Sequence, residues 1–365
     1  MPRHHGRVRN PEQALSIERL IVRDFRNLAA VELAPAPGVN CLHGDNGAGK
    51  TSVVEAIHLL ARGRSFRSAQ VAPLIAHGNE SLRVVARLQR GMTLGIERSR
   101  DEWRGRIDGR DCQRLSEFAA ALPLVLIEPD SHRLVDGGPE RRRQYLDWQL
   151  FHVEPDYLQS WQRYSRLLRQ RNAALKAAAA ERTIKALEAP MASAGQEINR
   201  LRQVQVSLLR QTMASLQDAL AFRLPGQIEL AYRSGHPAGT SLAEAWDQQR
   251  GSDRERGFTQ RGPHRADLRL TSGGHPAAIE LSRGQQKLLA VSLLLSQLII
   301  LQQAAPVPAV LLLDDPVSEL DARHLDVLLD WLPAQPYQTW ITTTAPPAQA
   351  FKMFHVEHGG IVAGA

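Results

Sequence analysis

Apolar and polar residues alternate loosely through "SIERLIVRD", Ser16 to Asp24, which is the period of a half-buried strand. The chain turns at Arg26-Asn27, and "LAAVEL" returns as the second strand of a hairpin. "VNCLHG" is a short apolar strand ending at glycine. "KTSVVEAIHLLARG" follows, with Val53, Val54, Ile57, Leu60 and Ala61 along one helical face. Leu82 to Leu88 and Thr93 to Glu97 predict strands of a meander, with a hairpin turn at Asp108-Gly109. "LPLVLIEPD" is a further strand.

The texture changes from Arg141 to about Leu224, where Ala, Leu, Arg and Gln dominate. Leu158, Trp161, Tyr164, Leu167 and Leu168 recur at helical spacing, and Ile198, Leu201, Val204, Leu208 and Leu209 resume it. "EAPMASAG", Glu188 to Gly195, interrupts the run, so the pattern predicts two antiparallel helical arms with the break there. Strands return with "GQIELAYRSG", and "PVPAVLLLDD" reads as a buried strand ending in two aspartates. "DARHLDVLLDWL" then predicts a helix and "YQTWITTTA" a strand. Strands alternating with helices at both ends of the chain predict an α/β fold with a helical insert. The expected division is a basic, disordered tail over 1–14, a first half of the sheet domain over 15–140, a helical lobe over 141–224 and a second half over 225–365.

The longest apolar run, Leu288 to Leu301, is interrupted by Ser292, Ser296 and Gln297 and falls short of the roughly 20 residues of a bilayer span, so a buried helix and no membrane partner are expected. The basic start has no apolar segment behind it and does not read as a signal peptide. Cys41 and Cys112 offer neither a zinc spacing nor a disulfide framework, which fits a reducing cytoplasm. The net charge of +7 suggests an acidic partner such as DNA. Only five of the 45 basic residues are lysines, so an arginine bias in coding accounts for part of this balance. Basic runs at Arg62, Arg64 and Arg67, at Arg141 and Arg142, and across Arg83 to Arg114 and Arg163 to Arg171 are the candidate DNA contacts. Arginines on helical arms are more often solvated surface. No groove-reading helix or aromatic platform is evident, so weak sequence preference is expected.

The chemistry concentrates in four stretches. "GDNGAGKT" fits G-x-x-x-x-G-K-[ST] and sits between a strand and a helix. Gly44, Asp45, Asn46, Gly47, Ala48 and Gly49 form a nest of backbone N–H donors at a helix N-terminus, suited to a β-phosphate. Lys50 is placed for the β- and γ-phosphates and Thr51 for magnesium, which makes ATP and magnesium the expected cofactors. "VLLLDD" delivers Asp314 to the magnesium shell and Asp315 to the attacking water. Asp315 is shorter than a glutamate, in keeping with slow hydrolysis. Asp321 in "SELD" is either a helix N-cap or a contact to a neighbouring subunit's nucleotide, and Thr343 is placed to sense a γ-phosphate.

"LSRGQ", Leu281 to Gln285, resembles the L-S-G-G-Q signature of ABC-type ATPases, with Arg283 in place of the first glycine. The resemblance implies that Ser282, Gly284 and Gln285 cap a nucleotide held by the other subunit of a head-to-tail homodimer. Four further stretches narrow it. "LIVRDFRNL", "GRSFRS", "PDSHRLVDGGPERRRQYLDWQLFH" and "GPHRADL" are similar to segments of the RecF family of bacterial DNA repair ATPases. That resemblance covers nearly all of the chain beyond about residue 15. It implies an ABC-type P-loop ATPase head, a mixed sheet with flanking helices, carrying a helical lobe. It also implies ATP-driven dimerisation and a slow, DNA-stimulated ATPase. The partners implied are gapped or damaged DNA, RecR and RecO, with RecA loading and SOS induction downstream. The competing reading is a transporter ATPase subunit, or another P-loop ATPase that does not act on DNA.

Overall fold

A computed structural model describes residues 16–304 and 309–363, so the basic tail lies outside the described residues. The chain divides into two compact units, one formed by residues 1–131 with 301–365 and the other by 132–300.

The first unit holds two six-stranded sheets. In one, Ile17–Phe25 pairs antiparallel with Leu28–Leu33 and with Ser81–Leu88, and the meander continues through Thr93–Ser99 and Trp103–Ile107 to Arg110–Cys112. Alternation sorts its faces: Leu20, Val22, Val84, Ala86, Leu94 and Ile96 point into the core while Arg23, Arg83 and Arg104 face out. The second sheet is mixed. Its centre is Val39–His43, flanked in parallel by Thr339–Thr343 and Lys352–Glu357. Val310–Leu313 and Leu124–Ile127 extend it on one side, also in parallel. Gly360–Ala363 closes the other edge by an antiparallel hairpin. Val310–Leu313 is apolar throughout, and Val39–His43 is buried along nearly its length with Asn40 hydrogen-bonded to Ala36 and Gly38, as buried parallel strands require. The helix Lys50–Arg62 shares one core with both sheets through Val53, Val54, Ile57 and Leu60.

The second unit pairs long helices with a three-stranded antiparallel sheet, in which Asp267–Ser272 lies between Ile228–Arg233 and His275–Pro276. Tyr157–Lys176 and Glu181–Ala219 are the two arms. The arms turn at residues 177–180, not at Glu188 to Gly195, and Glu181–Ala219 runs unbroken through Pro190. Its buried stripe of Ile184, Glu188, Met191, Gly195, Ile198, Arg202, Gln205 and Leu209 steps by three and four along the whole length. Glu188 and Gly195 looked like breaks because they are polar or small, yet both face inward. Glu188 takes ion pairs from Arg171 and Arg250, and a Cβ on Gly195 would stand 2.7 Å from the Leu242 side chain. Ala178, with φ of 49°, supplies the turn from an alanine-rich stretch that carries no turn signal.

Arg283–Ala304 is long and apolar enough to cross a membrane, but 67% of its most apolar window is buried inside the fold. Leu289, Ala290, Leu293 and Ile300 pack with Tyr145, Leu146 and Leu268 in the core of the second unit. Tyr145 Oη donates to Leu293 O at 2.7 Å, and Gln297 Nε2 donates to Tyr145 O at 2.8 Å.

Candidate nucleotide site

The strand Val39–His43 stops at Gly44, and the helix Lys50–Arg62 begins six residues later. Glycine is required at two points of the turn between them. Gly44 has φ of 144°, and a Cβ there would stand 2.2 Å from Val356 O. Gly49, the helix N-cap, has φ of 119° and would drive a Cβ to 2.9 Å from Leu28. No acidic residue occupies the first turn of the helix, which leaves its positive end to an anion. Lys50 is buried, and its Nζ donates to Gly44 O at 2.7 Å and Asp45 O at 2.8 Å. Burial holds its ammonium below the usual lysine range, against the opposing pull of Asp315, Asp45 and Asp314.

The turn opens into a cavity of about 540 Å³ lined by Asn46, Gly47, Gly49, Lys50, Thr51, Asp315 and Thr343 among others. At its foot Thr51 Oγ1 donates to Asp314 Oδ1 at 2.8 Å, across 263 residues of chain. Asp314 is 5% exposed. Burial raises its carboxyl above the usual aspartate range, while hydrogen bonds from Thr342 and Thr51 pull it down. A carboxylate and a hydroxyl brought together on a buried floor are the oxygen donors that magnesium takes alongside phosphate oxygens. The residues present therefore fit the cofactor pair that the fold implies. Asp315 stands in the left-handed region, with φ of 49° and ψ of 57°. That backbone turn ends the strand and leaves the Asp315 side chain at the cavity wall.

Sequence reasoning missed Thr342. Its Oγ1 accepts from Asp315 N–H and donates to Asp314 Oδ1, both at 2.8 Å, so one hydroxyl fixes both aspartates. The neighbouring Thr343 lines the cavity but donates to Ala345 O at 2.9 Å. Strand parity gave no signal, because Trp340 and Ile341 on the two faces are both buried. Arg26 and Arg67 also line the cavity and were not placed there. Both are held by the fully buried Glu55 of the phosphate-loop helix: Arg26 grips it by Nε and Nη2 at 3.0 and 2.7 Å, and Arg67 Nη1 lies 3.7 Å away. Ser65 Oγ also donates to Glu55. Arg67, expected among DNA contacts, lines this cavity with half of its side chain exposed.

Two other expected contacts are turned inward. Arg62 Nη2 donates to Leu124 O at 2.9 Å, and burial lowers its hold on its proton. Arg142 grips Asp267 by Nε at 2.8 Å and Nη2 at 3.1 Å with 12% of its side chain exposed. Both guanidinium groups are committed inside the fold and are not presented to DNA. Arg171 is also fully buried. Arg64 and Arg141 are exposed. Asp321 is the N-cap of Ala322–Trp331, its Oδ1 accepting from His324 N–H at 3.0 Å.

The signature segment lies in the second unit. Ser282 and Gln285 form a reciprocal cap on the helix Arg283–Ala304: Ser282 N–H donates to Gln285 Oε1 at 2.9 Å, and Gln285 N–H to Ser282 Oγ at 3.4 Å. Ser282, Arg283 and Gly284 are exposed, and a Cβ on Gly284 would meet nothing within 4 Å. Arg283 Nη1 donates to Asp136 Oδ2 at 2.6 Å.

The stretches "PERRRQYLDW" and "GPHRADL" are joined to each other and to the arms. Besides the Arg142–Asp267 pair, Arg143 Nη1 donates to Ala266 O at 2.8 Å. Arg202 holds Asp147 by Nε and Nη2 at 2.8 and 2.9 Å and donates to Pro263 O at 2.8 Å. Tyr164 Oη lies 2.7 Å from His264 Nδ1.

Residues 16–353 match the family model for the RecF/RecN/SMC N-terminal domain. The chain is 41% identical over 362 residues to the DNA replication and repair protein RecF of Stenotrophomonas maltophilia, covering 96% of this chain and 100% of that one. It is 40% identical over 361 residues to RecF of Thioalkalivibrio sulfidiphilus, covering 95% and 99%. Among solved structures, the ATP form of the recombination mediator protein RecF superposes with a TM-score of 0.85 at 25% identity over 100% of both chains. An Smc head domain from Pyrococcus furiosus shares the fold, with a TM-score of 0.59 at 15% identity over 95% of each chain. These matches set aside the transporter reading, and the chain belongs to the RecF family of DNA replication and repair ATPases.

Proposed function

We propose that this chain uses ATP to close a head-to-tail homodimer on gapped or damaged DNA, and that slow, DNA-stimulated hydrolysis reopens it. The observation that carries the reading is the Thr51–Asp314 contact at the foot of a phosphate-loop cavity, set against an exposed, capped signature segment. In this reading Thr51 and Asp314 hold magnesium, Lys50 binds the β- and γ-phosphates, and the loop N–H groups of residues 44–49 cradle the β-phosphate. Magnesium at that position would neutralise charge developing on the phosphate oxygens. Asp315 accepts a proton from the attacking water at its carboxylate, and Thr342 holds Asp315 in place through its backbone N–H. Ser282, Gly284 and Gln285 serve the partner's nucleotide, with Asp321 and Thr343 as lesser contacts. Gln285 leaves its cap to do so.

DNA contact falls to exposed arginines such as Arg64 and Arg141, mostly through phosphate, so affinity drops steeply with salt. RecR and RecO are the protein partners in this reading, RecA loading and SOS induction its outcome, and the cytoplasm its setting.

Two single-site variants test the shared site. Lys50→Ala is expected to abolish ATP-dependent dimerisation in sedimentation. Ser282→Arg is expected to bind ATP yet fail to dimerise or hydrolyse it. Mixing the two restores one composite site per dimer and a fraction of the ATPase rate. No recovery on mixing would sink the head-to-tail reading.

A further inference from the structure

The phosphate loop is gripped by two turns far apart in the chain, one of which, through Asn27, also lines the cavity. Asn27 sits in the hairpin turn between Ile17–Phe25 and Leu28–Leu33. Its Nδ2 donates to Gly47 O at 3.1 Å, and its Oδ1 accepts from Ser52 Oγ at 2.8 Å, so one side chain ties the loop to the first turn of the following helix. Gly359 sits in the turn between Lys352–Glu357 and Gly360–Ala363, and its N–H donates to Ala48 O at 2.9 Å.

The two turns also touch each other. A Cβ on Gly359 would stand 2.0 Å from Asn27 O, and Gly359 holds φ of 75°, so a side chain is opposed there by both space and backbone. With Lys50 bound to Gly44 O and Asp45 O, the carbonyls of residues 44, 45, 47 and 48 are all engaged by donors. In a trans peptide the N–H points away from the C=O. Holding Ala48 O toward Gly359 therefore directs the Gly49 N–H to the other side of the loop.

We propose that Asn27 and Gly359 are positioning residues that hold the phosphate loop in its anion-binding shape before nucleotide arrives. The inference rests on the reading of this loop as the nucleotide site. Neither residue belongs to a nucleotide motif, and Gly359 lies more than three hundred positions from the loop it supports. Loop amides set in advance lose less freedom on binding, so the effect falls on affinity for the polyphosphate.

The test uses full-length Asn27→Ala, Ser52→Ala and Gly359→Ala, with ADP and ATP affinity measured by calorimetry and the unliganded thermal midpoint recorded alongside. Asn27→Ala is expected to weaken ADP and ATP alike by about tenfold, the scale of one hydrogen bond. The unliganded midpoint should stay within about 2 °C of wild type. In hydrolysis the loss should appear as a KM raised by about tenfold with kcat within about twofold. Ser52→Ala keeps the Gly47 bond and should cost about threefold or less. Gly359→Ala should match Asn27→Ala; where it does not fold, Asn27→Ala decides. Unchanged affinity in Asn27→Ala overturns the proposal. So does an affinity loss accompanied by a fall of more than about 5 °C in the unliganded midpoint, which would mark a merely structural brace. A wild-type chain that fails to bind ADP overturns the nucleotide reading itself.

Discussion

The two units handle buried charge in opposite ways. In the first, buried Lys50 lines an open cavity, buried Asp314 is bound to Thr51 and Thr342 that line it, and Glu55 holds two arginines that line it. In the second, the buried charges face one another. Arg171 is fully enclosed, bound to Asp253 Oδ2 and Thr259 Oγ1 at 2.8 Å and to Glu188 Oε1 at 2.9 Å, with its guanidinium over the Trp246 ring. Arg202 is tied to Asp147, Tyr232 and Pro263. A buried ion left without its partner costs more than the pair contributes, so closed networks of this kind fix packing. A charge aimed into a cavity keeps its unsatisfied capacity for a ligand. The same residue types thus serve architecture in one unit and nucleotide chemistry in the other.

Three substitutions probe that contrast. The largest effect is expected for Arg171→Met, which leaves Asp253 a buried carboxylate without its arginine and Glu188 with Arg250 alone. It should cost about 3–5 kcal/mol in urea unfolding, with nucleotide affinity of the remaining folded protein intact. Loss of nucleotide binding without loss of stability would break the comparison. Next, Asp315→Asn should slow ATP hydrolysis by about a hundredfold and prolong the ATP-bound dimer, with the thermal midpoint almost unmoved. Rapid return to monomer after ATP addition would remove Asp315 from its assigned role.

The smallest effect concerns His264. Burial holds its imidazole down at about 4, from an ordinary value of 6.5, with the Thr259 carbonyl pulling the other way. The unfolded chain therefore takes up a proton near pH 6.5 that the folded chain refuses until about pH 4. Stability is full above pH 6.5 and declines as pH falls through that window, by about 1–2 kcal/mol at pH 5. His264→Gln should flatten this slope, and an unchanged slope would place the acid sensitivity elsewhere.

The first unit was largely legible because its strands alternate and its loop obeys a fixed spacing. Leu20, Val22 and Phe25 announce one face of the hairpin, and Gly44 to Thr51 announces the loop, without reference to anything distant. What stayed hidden depends on partners remote in sequence. Thr342 and Thr343 are chemically identical and differ only in which side of the strand they occupy. Glu188 read as a break because its partners Arg171 and Arg250 lie 17 and 62 positions away. The arginines expected on the surface split by the same rule. Arg142 is committed because Asp267 reaches it from 125 positions downstream, while Arg141 next to it remains exposed. The long helix ran through Pro190 because packing of its inner stripe outweighed one lost backbone hydrogen bond.

The placement of Val39–His43 between Thr339–Thr343 and Lys352–Glu357 sets an order on the making of this molecule. The phosphate loop leaves the ribosome before the second unit is made, but both strands that flank its own strand emerge only after that unit. Until then the apolar strand Val39–His43 has two open edges, each a template for wrong pairing. Residues 132–300 are contiguous and complete their unit first. A nascent chain stalled before Thr339 therefore carries a finished second unit and an unfinished nucleotide pocket, so competence to bind ATP marks a chain already made through Glu357.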